Sequence, residues 1–316
     1  MSVFTLLERA ELEAFVAPYG LGRLLDFQGI AAGTENSNFF VSLEAGEYVL
    51  TLVERGQRAD LPFVVELLQR LHAAGLPVPY GVATRSGDCL RELADKPALL
   101  QPRLAGKHIE QPNAHHCAEV GSWLARMHLC TQAQPLERRS DRGLDWMLSE
   151  GPLQALQLDG EALELLRASL AEVAQAQAAV LALPRTNLHA DLFRDNVLFD
   201  GPHLSGVIDF YNACSGPMLY DVAITLNDWC STASGSLDLS RARALLAAYA
   251  SLRPFHPAEA ELWPCMLRIA CLRFWLSRLI AARQPTALGV QVKDPDEFRR
   301  HLLQRQQVHL PLPLAL

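Results

Sequence analysis

NLHADLFRDNVLF at residues 187–199, followed by SGVIDFYN at 205–212, decides the reading of this chain. It places His189, Asp191 and Asn196 in His-x-Asp-x-x-x-x-Asn spacing, with Asp209 thirteen residues beyond the Asn. A metal-dependent phosphoryl transfer needs this set of side chains: one carboxylate takes the acceptor's proton, and further oxygen ligands hold a divalent ion on the phosphates. In that role Asp191 is the base, while Asn196 and Asp209 are the metal positions.

The flanking residues support the assignment. Thr186 to Leu188 runs into the loop, Val197 to Phe199 leaves it as a short apolar strand, and Gly201-Pro202 turns the chain into a second strand predicted over Leu204 to Phe210. Such a hairpin brings Asn196 and Asp209 to one edge. Two rival readings use the same residues. In one they are polar turn formers; in the other His189, Asp191 and Asp209 ligate a hydrolytic metal, which leaves Asn196 without a role. The only other cluster, His115-His116-Cys117, consists of adjacent helix residues that point apart.

The segment resembles the catalytic segment of the aminoglycoside phosphotransferase and choline kinase superfamily. GTENSNFFVSLEAGEYVLTLVER, LPVP, GSWLARMH, NLHADLFRDNVLFDGPHLSGVIDF and YDVAITLNDWC extend the likeness over nearly the whole chain, toward the branch that phosphorylates L-homoserine. The resemblance implies an α+β, two-lobed protein-kinase-like fold. A small β-rich nucleotide-binding lobe would occupy residues 1–102, and a larger, mainly α-helical catalytic lobe residues 103–316. It also implies ATP and Mg²⁺ as cofactors.

The N-terminal half is consistent with such a lobe. Thr5-Leu-Leu-Glu8 reads as a capping box opening a first helix. Strand patterns over Phe27–Ala31, Phe39–Leu43 and Tyr48–Val53 enclose a polar turn in which Asn36, Ser37 and Asn38 are placed to meet phosphate. Asp60-Leu-Pro62 starts a helix with Leu67, Leu68 and Leu71 on one face. By resemblance to a kinase hinge, backbone groups from Gln101 to Leu104 meet the adenine. One departure stands out: the third-strand lysine of the kinase pattern is replaced by Thr51, which leaves Glu66 on the following helix without an evident partner. Thr51 and the Asn36–Asn38 turn are then expected to supply neutral contacts to the nucleotide.

Beyond Gly106 the chain reads as helical over Ala114–Leu129, Gly160–Ala182, Tyr220–Trp229, Leu239–Tyr249 and Ala258–Arg283. His189 is expected to brace the loop, and His128 to be a cap or core contact.

The chain has 316 residues, half of them apolar, which is ample for a large core. A net charge of −7 without a basic stripe argues against nucleic acid as a partner. Met1 to Leu7 carries no basic residue, and no apolar run approaches a membrane span, so the expected location is the cytoplasm. The seven scattered cysteines are expected to be reduced thiols. Oligomeric state is not legible at this level.

The acceptor is expected to be a small molecule, L-homoserine. Its carboxylate calls for an arginine, and Arg194, Arg273 and Arg278 are the candidates. Choline, ethanolamine, methylthioribose or an aminoglycoside remain as alternatives, as does a nucleotide-binding pseudokinase. Tyr211, Trp229, Phe274 and Trp275 offer rings for a cationic acceptor, and Asp195, Asp221 and Asp228 offer acidity for an aminoglycoside.

Overall fold

The computed structural model describes residues 5–30, 36–54, 58–283 and 293–314. They divide into a first unit that runs to Ala105 and takes back Gly206–Ile208, and a second that begins at Gly106.

The first unit opens with α1 (Arg9–Val16), whose capping exchange uses Glu8 and Glu11. The box expected at Thr5–Glu8 lies one turn too early, because the Thr5 hydroxyl is drawn instead to Glu54, 2.6 Å away. Strands β1 (Leu24–Gly29), β2 (Ser37–Leu43) and β3 (Gly46–Leu52), helix α2 (Leu61–Ala73), and strands β4 (Leu90–Leu93) and β5 (Lys96–Pro102) follow. The strands form an antiparallel sheet in the order β1-β2-β3-β5-β4. Alternation sets its inner face: Ser37, Phe39, Val41 and Leu43 of β2 are buried while the residues between them are half-exposed. Phe39, Val41 and Leu43 pack with Leu12, Phe15 and Val16 of α1 and with Leu50, Leu52 and Leu100. Each such side chain contributes about 1.5–3 kcal/mol on burial. Register pairs Ser37 with Leu52 and Leu52 with Ala98, so the start of β2, the end of β3 and the start of β5 share one end of the sheet.

The second unit contains α3 (Ala114–Gln132), α4 (Leu144–Ala155), α5 (Gly160–Leu181), β6 (Arg185–Leu188), β7 (Val197–Asp200), β8 (His203–Val207), β9 (Cys214–Pro217), α6 (Met218–Trp229), α7 (Leu239–Leu252), α8 (Pro257–Ala281) and α9 (Pro295–Arg305). Helix α6 is buried on every side from Met218 to Trp229, the mark of a central helix. Helices α3 and α7 approach closely at Gly121, where a Cβ would meet the Leu245 carbonyl oxygen at 2.3 Å.

Helices α4 and α9 were not expected. Gly151-Pro152 interrupts the pattern of the first, and charge dominates the second, yet Met147, Phe298 and Leu302 are buried. The strand predicted over Leu204–Phe210 stops at Val207, since Asp209 turns the chain with a left-handed φ of 64°. A small antiparallel-sheet unit followed by a helical one is the kinase-like α+β architecture expected from sequence. No helix among the described residues is long and apolar enough to cross a membrane.

Candidate active site

The catalytic segment hangs on α6. Strand β6 delivers His189 and Ala190, whose backbone N–H groups both donate to the Asp221 carboxylate, at 2.7 and 2.8 Å. That grip holds Ala190 at a φ of 61°, a left-handed conformation costing roughly 1–2 kcal/mol for a residue with a Cβ. Asp221 also accepts from Nε2 of His128 at 3.2 Å, and Nδ1 of His128 meets the Tyr249 hydroxyl at 2.8 Å. Burial pushes the Asp221 carboxyl up, but the His128 hydrogen bond and the His189 amide help to outweigh it and hold the group below the usual aspartate range. Two turns along, Asp228 accepts from the Arg194 amide at 2.8 Å and from its guanidinium at 3.1 Å. The Trp229 indole donates to the Leu192 carbonyl at 3.0 Å.

Held this way, the loop presents its polar residues in defined roles. His189 is fully buried, and its Nδ1 accepts from the Asp191 amide at 3.3 Å, so it braces the loop from within. Asp191 is half-buried and takes a 3.3 Å hydrogen bond from the Asn212 amide. Burial raises its carboxyl further than the Arg273 charge lowers it. The result is a more basic carboxylate than a free aspartate, which suits a proton acceptor. Asn196 donates through Nδ2 to the Asp191 carbonyl at 2.8 Å, a bond that does not use its Oδ1. Asp209 is exposed on its left-handed turn. One amide oxygen and one carboxylate are hard donors of the kind magnesium takes when phosphates complete its shell. Among the described residues no group of three or more His, Cys, Asp or Glu side chains gathers at metal-binding distance, which removes the ligand set required by the hydrolase reading. His115 and His116 are structural, against the Pro202 carbonyl and the Phe199 ring respectively.

In the first unit two of the candidate nucleotide residues, Asn36 and Ser37, meet Glu54. The Ser37 and Thr5 hydroxyls both donate to its carboxylate at 2.6 Å, Asn36 accepts from its amide at 3.1 Å, and Lys96 pairs with it at 3.0 Å. The Thr51 hydroxyl donates to Asn38 at 2.7 Å, and Gln101 donates to the Pro79 carbonyl at 2.5 Å. Leu104 is half-buried beyond β5. Glu66 does have a partner, Arg70 one turn along α2 at 2.8 Å, an intrahelical pair that i,i+4 spacing would have revealed. The Lys–Glu pair of this unit is Lys96 with Glu54, at the β2-start end of the sheet. Sequence alone gave no signal for it, because the two come together only through strand pairing.

The arginines separate clearly. Arg194 is committed to Asp228, Arg268 to Glu172 at 2.9 Å, and Arg278 to Glu297 at 2.5 Å and the Asp294 carbonyl. Asp228, considered as pocket acidity, is spent on Arg194, and Asp221 on the loop amides. Arg273 is 2% exposed and lies over the Phe274 ring at 4.1 Å, and its Nη1 has no hydrogen-bond partner among the described residues. Behind β6 and β9 lies a cavity of about 290 Å³ lined by Arg138, Ser140, Leu188, Cys214, Ser215 and Tyr220.

Known proteins agree with this geometry. The model of the phosphotransferase enzyme family, APH, matches residues 26–255. A homoserine kinase of Pseudomonas aeruginosa is 66% identical over 316 residues, covering 100% of both chains, and one from Methylobacillus glycogenes is 44% identical over 303 residues, covering 96% of this chain and 95% of that one. An amicoumacin kinase solved with AMP-PNP, Ca²⁺ and Ami superposes with a TM-score of 0.70 at 14% identity, over 95% of this chain and 92% of that one. A choline kinase from Cryptosporidium parvum gives 0.60 at 14% identity over 89% of each. The last two share the fold. With the loop geometry, the family match over most of the chain and relatives alike from end to end, the chain belongs to the phosphotransferase enzyme family.

Proposed function

We propose that this chain transfers the γ-phosphoryl group of ATP to the side-chain hydroxyl of L-homoserine, giving O-phospho-L-homoserine and ADP, a step of threonine biosynthesis. The observation that carries the acceptor is the 66% identity to a homoserine kinase over the full length of both chains. What supports the chemistry is the loop itself: a half-buried, raised-pKa Asp191 held by Asn212, beside an Asn196 whose amide is aimed by the Asp191 carbonyl.

In this reading Asp191 accepts the proton of the attacking hydroxyl while the oxygen forms its bond to phosphorus and the bond to the ADP oxygen breaks. Asn196 and Asp209 hold Mg²⁺, which when bound neutralises charge on the phosphates. His189 and Asp221 keep the loop in register. Residues 1–102 bind the nucleotide around Asn36, Ser37, Asn38, Thr51, Gln101 and Leu104. With hydroxyls engaged on Glu54 and Asn38, Ser37 and Thr51 position the backbone of that region, and Lys96 pairs with the same Glu54. The cytoplasm is the fitting compartment for an ATP-consuming chain whose seven cysteines are all free thiols.

The test is ADP release from Mg·ATP with L-homoserine, choline, ethanolamine, methylthioribose and kanamycin offered separately. Stimulation by L-homoserine that Asp191→Asn removes by about 10²-fold or more is expected. Near-normal turnover in Asp191→Asn would rule out its role as base, and stimulation by another acceptor alone would overturn the substrate.

A further inference from the structure

Among the described residues, the buried arginines are matched to acceptors, with the exception of Arg273. Arg253 pairs with Glu259 at 2.6 Å, Arg305 donates to Asn227 and to the Gly235 carbonyl at 2.7 Å, and Arg278 has Glu297. Arg273 lies over the face of Phe274, and its Nη1 has no hydrogen-bond partner among the described residues. A guanidinium N–H taken out of water without an acceptor is an unfavourable arrangement for a core to hold. An anion arriving from outside would satisfy it.

Two further orphans accompany it. Among the described residues, no partner meets the buried Ser277 hydroxyl, one turn along α8 on the same face, or the hydroxyl of Tyr220, a residue only 7% exposed on α6. The location relative to the chemistry follows from ring contacts. Phe274, on which Arg273 lies, packs against Phe193 with centroids 4.5 Å apart, and the Phe193 amide donates to the Asp191 carbonyl at 2.8 Å. Helix α8, which carries Arg273, packs against α6, which carries Tyr220, and Arg273 is also the charge that acts most strongly on both the Asp191 carboxyl and the Tyr220 hydroxyl.

We propose that Arg273 and Tyr220 form the carboxylate-binding site for an α-amino-acid acceptor, with Nη1 of Arg273 and the Tyr220 hydroxyl donating to its two oxygens and Ser277 beside them. This rests on the kinase reading above and deepens it. A carboxylate there satisfies the stranded guanidinium and the unpaired hydroxyl together, and anchors the end of the acceptor opposite the hydroxyl that faces Asp191. Amino alcohols without a carboxylate leave the arginine unpaired and are discriminated against for that reason.

The experiment compares wild type, Arg273→Met and Tyr220→Phe with L-homoserine and with 3-aminopropan-1-ol, which is homoserine without its carboxylate. Arg273→Met should raise the KM for L-homoserine about 100-fold or more, and Tyr220→Phe about 5-fold, with little change for 3-aminopropan-1-ol. The ligand-free melting temperature should stay level or rise in both variants, because each removes a buried group that has no partner; a structural arginine would lower it. If wild type phosphorylates L-homoserine and Arg273→Met keeps the full preference over 3-aminopropan-1-ol, this site is wrong while the kinase reading stands. Failure of wild type to phosphorylate L-homoserine would sink the acceptor reading and this site with it. Tyr220→Phe is nearly isosteric, so an unchanged KM there would remove the tyrosine from the site even if Arg273→Met failed to fold.

Discussion

Replacing Asp221 with alanine should disable the catalytic loop without touching any group proposed to meet substrate. The carboxylate is fully buried and accepts three hydrogen bonds, from the amides of His189 and Ala190 and from His128. Each amide stranded in the core costs about 1–3 kcal/mol, and the left-handed Ala190 loses the contact that holds it. Local relaxation limits the total to about 3–5 kcal/mol, against a typical stability of about 5–15 kcal/mol. The variant should therefore fold but unfold at a urea concentration about 1–2 M lower. Turnover should fall by about 10²-fold, as expected when reacting groups move by an ångström. Tryptophan fluorescence in a urea titration and coupled ADP release give the two readouts. Asp221→Asn keeps one acceptor oxygen and should fall between the two proteins. The folded carboxyl lies below its ordinary value of 3.8, so its contribution is complete above that pH and is lost as pH falls through the depressed folded value. The acid loss of wild type should accordingly contain a component that Asp221→Asn lacks. Wild-type urea midpoint and turnover in Asp221→Ala would refute the account of how the loop is held.

Two further outcomes are expected. Lys96→Met removes the cation paired with Glu54 near the Asn36–Asn38 segment and should raise the KM for ATP about 10-fold with little effect on the acceptor KM, whereas Glu66→Gln, which loses only an exposed intrahelical pair, should change neither measurably. Gly121→Val drives a side chain into the Leu245 carbonyl and should force α3 and α7 apart, lowering the melting temperature in calorimetry by several degrees; an unchanged value would contradict the close approach.

The parts that sequence alone determined are those in which neighbours in the chain are neighbours in space. His189, Asp191 and Asn196 lie within eight residues of one loop, so their spacing carries the chemistry. The alternation of β2 and the heptad-like spacing of α2 likewise follow from local geometry, period two for a strand and 3.6 for a helix. Tertiary structure decided partnership. Asp221 looked like pocket acidity until α6 placed it under two amides about thirty residues upstream; Lys96 and Glu54 met only through β3–β5 pairing; and of the arginines of α8, Arg268 and Arg278 found carboxylates while Nη1 of Arg273 found no acceptor among the described residues. Residue type reveals what a side chain can do, but whether a charge is spent or free depends on what packing brings beside it, and long-range packing leaves no periodic trace in the chain.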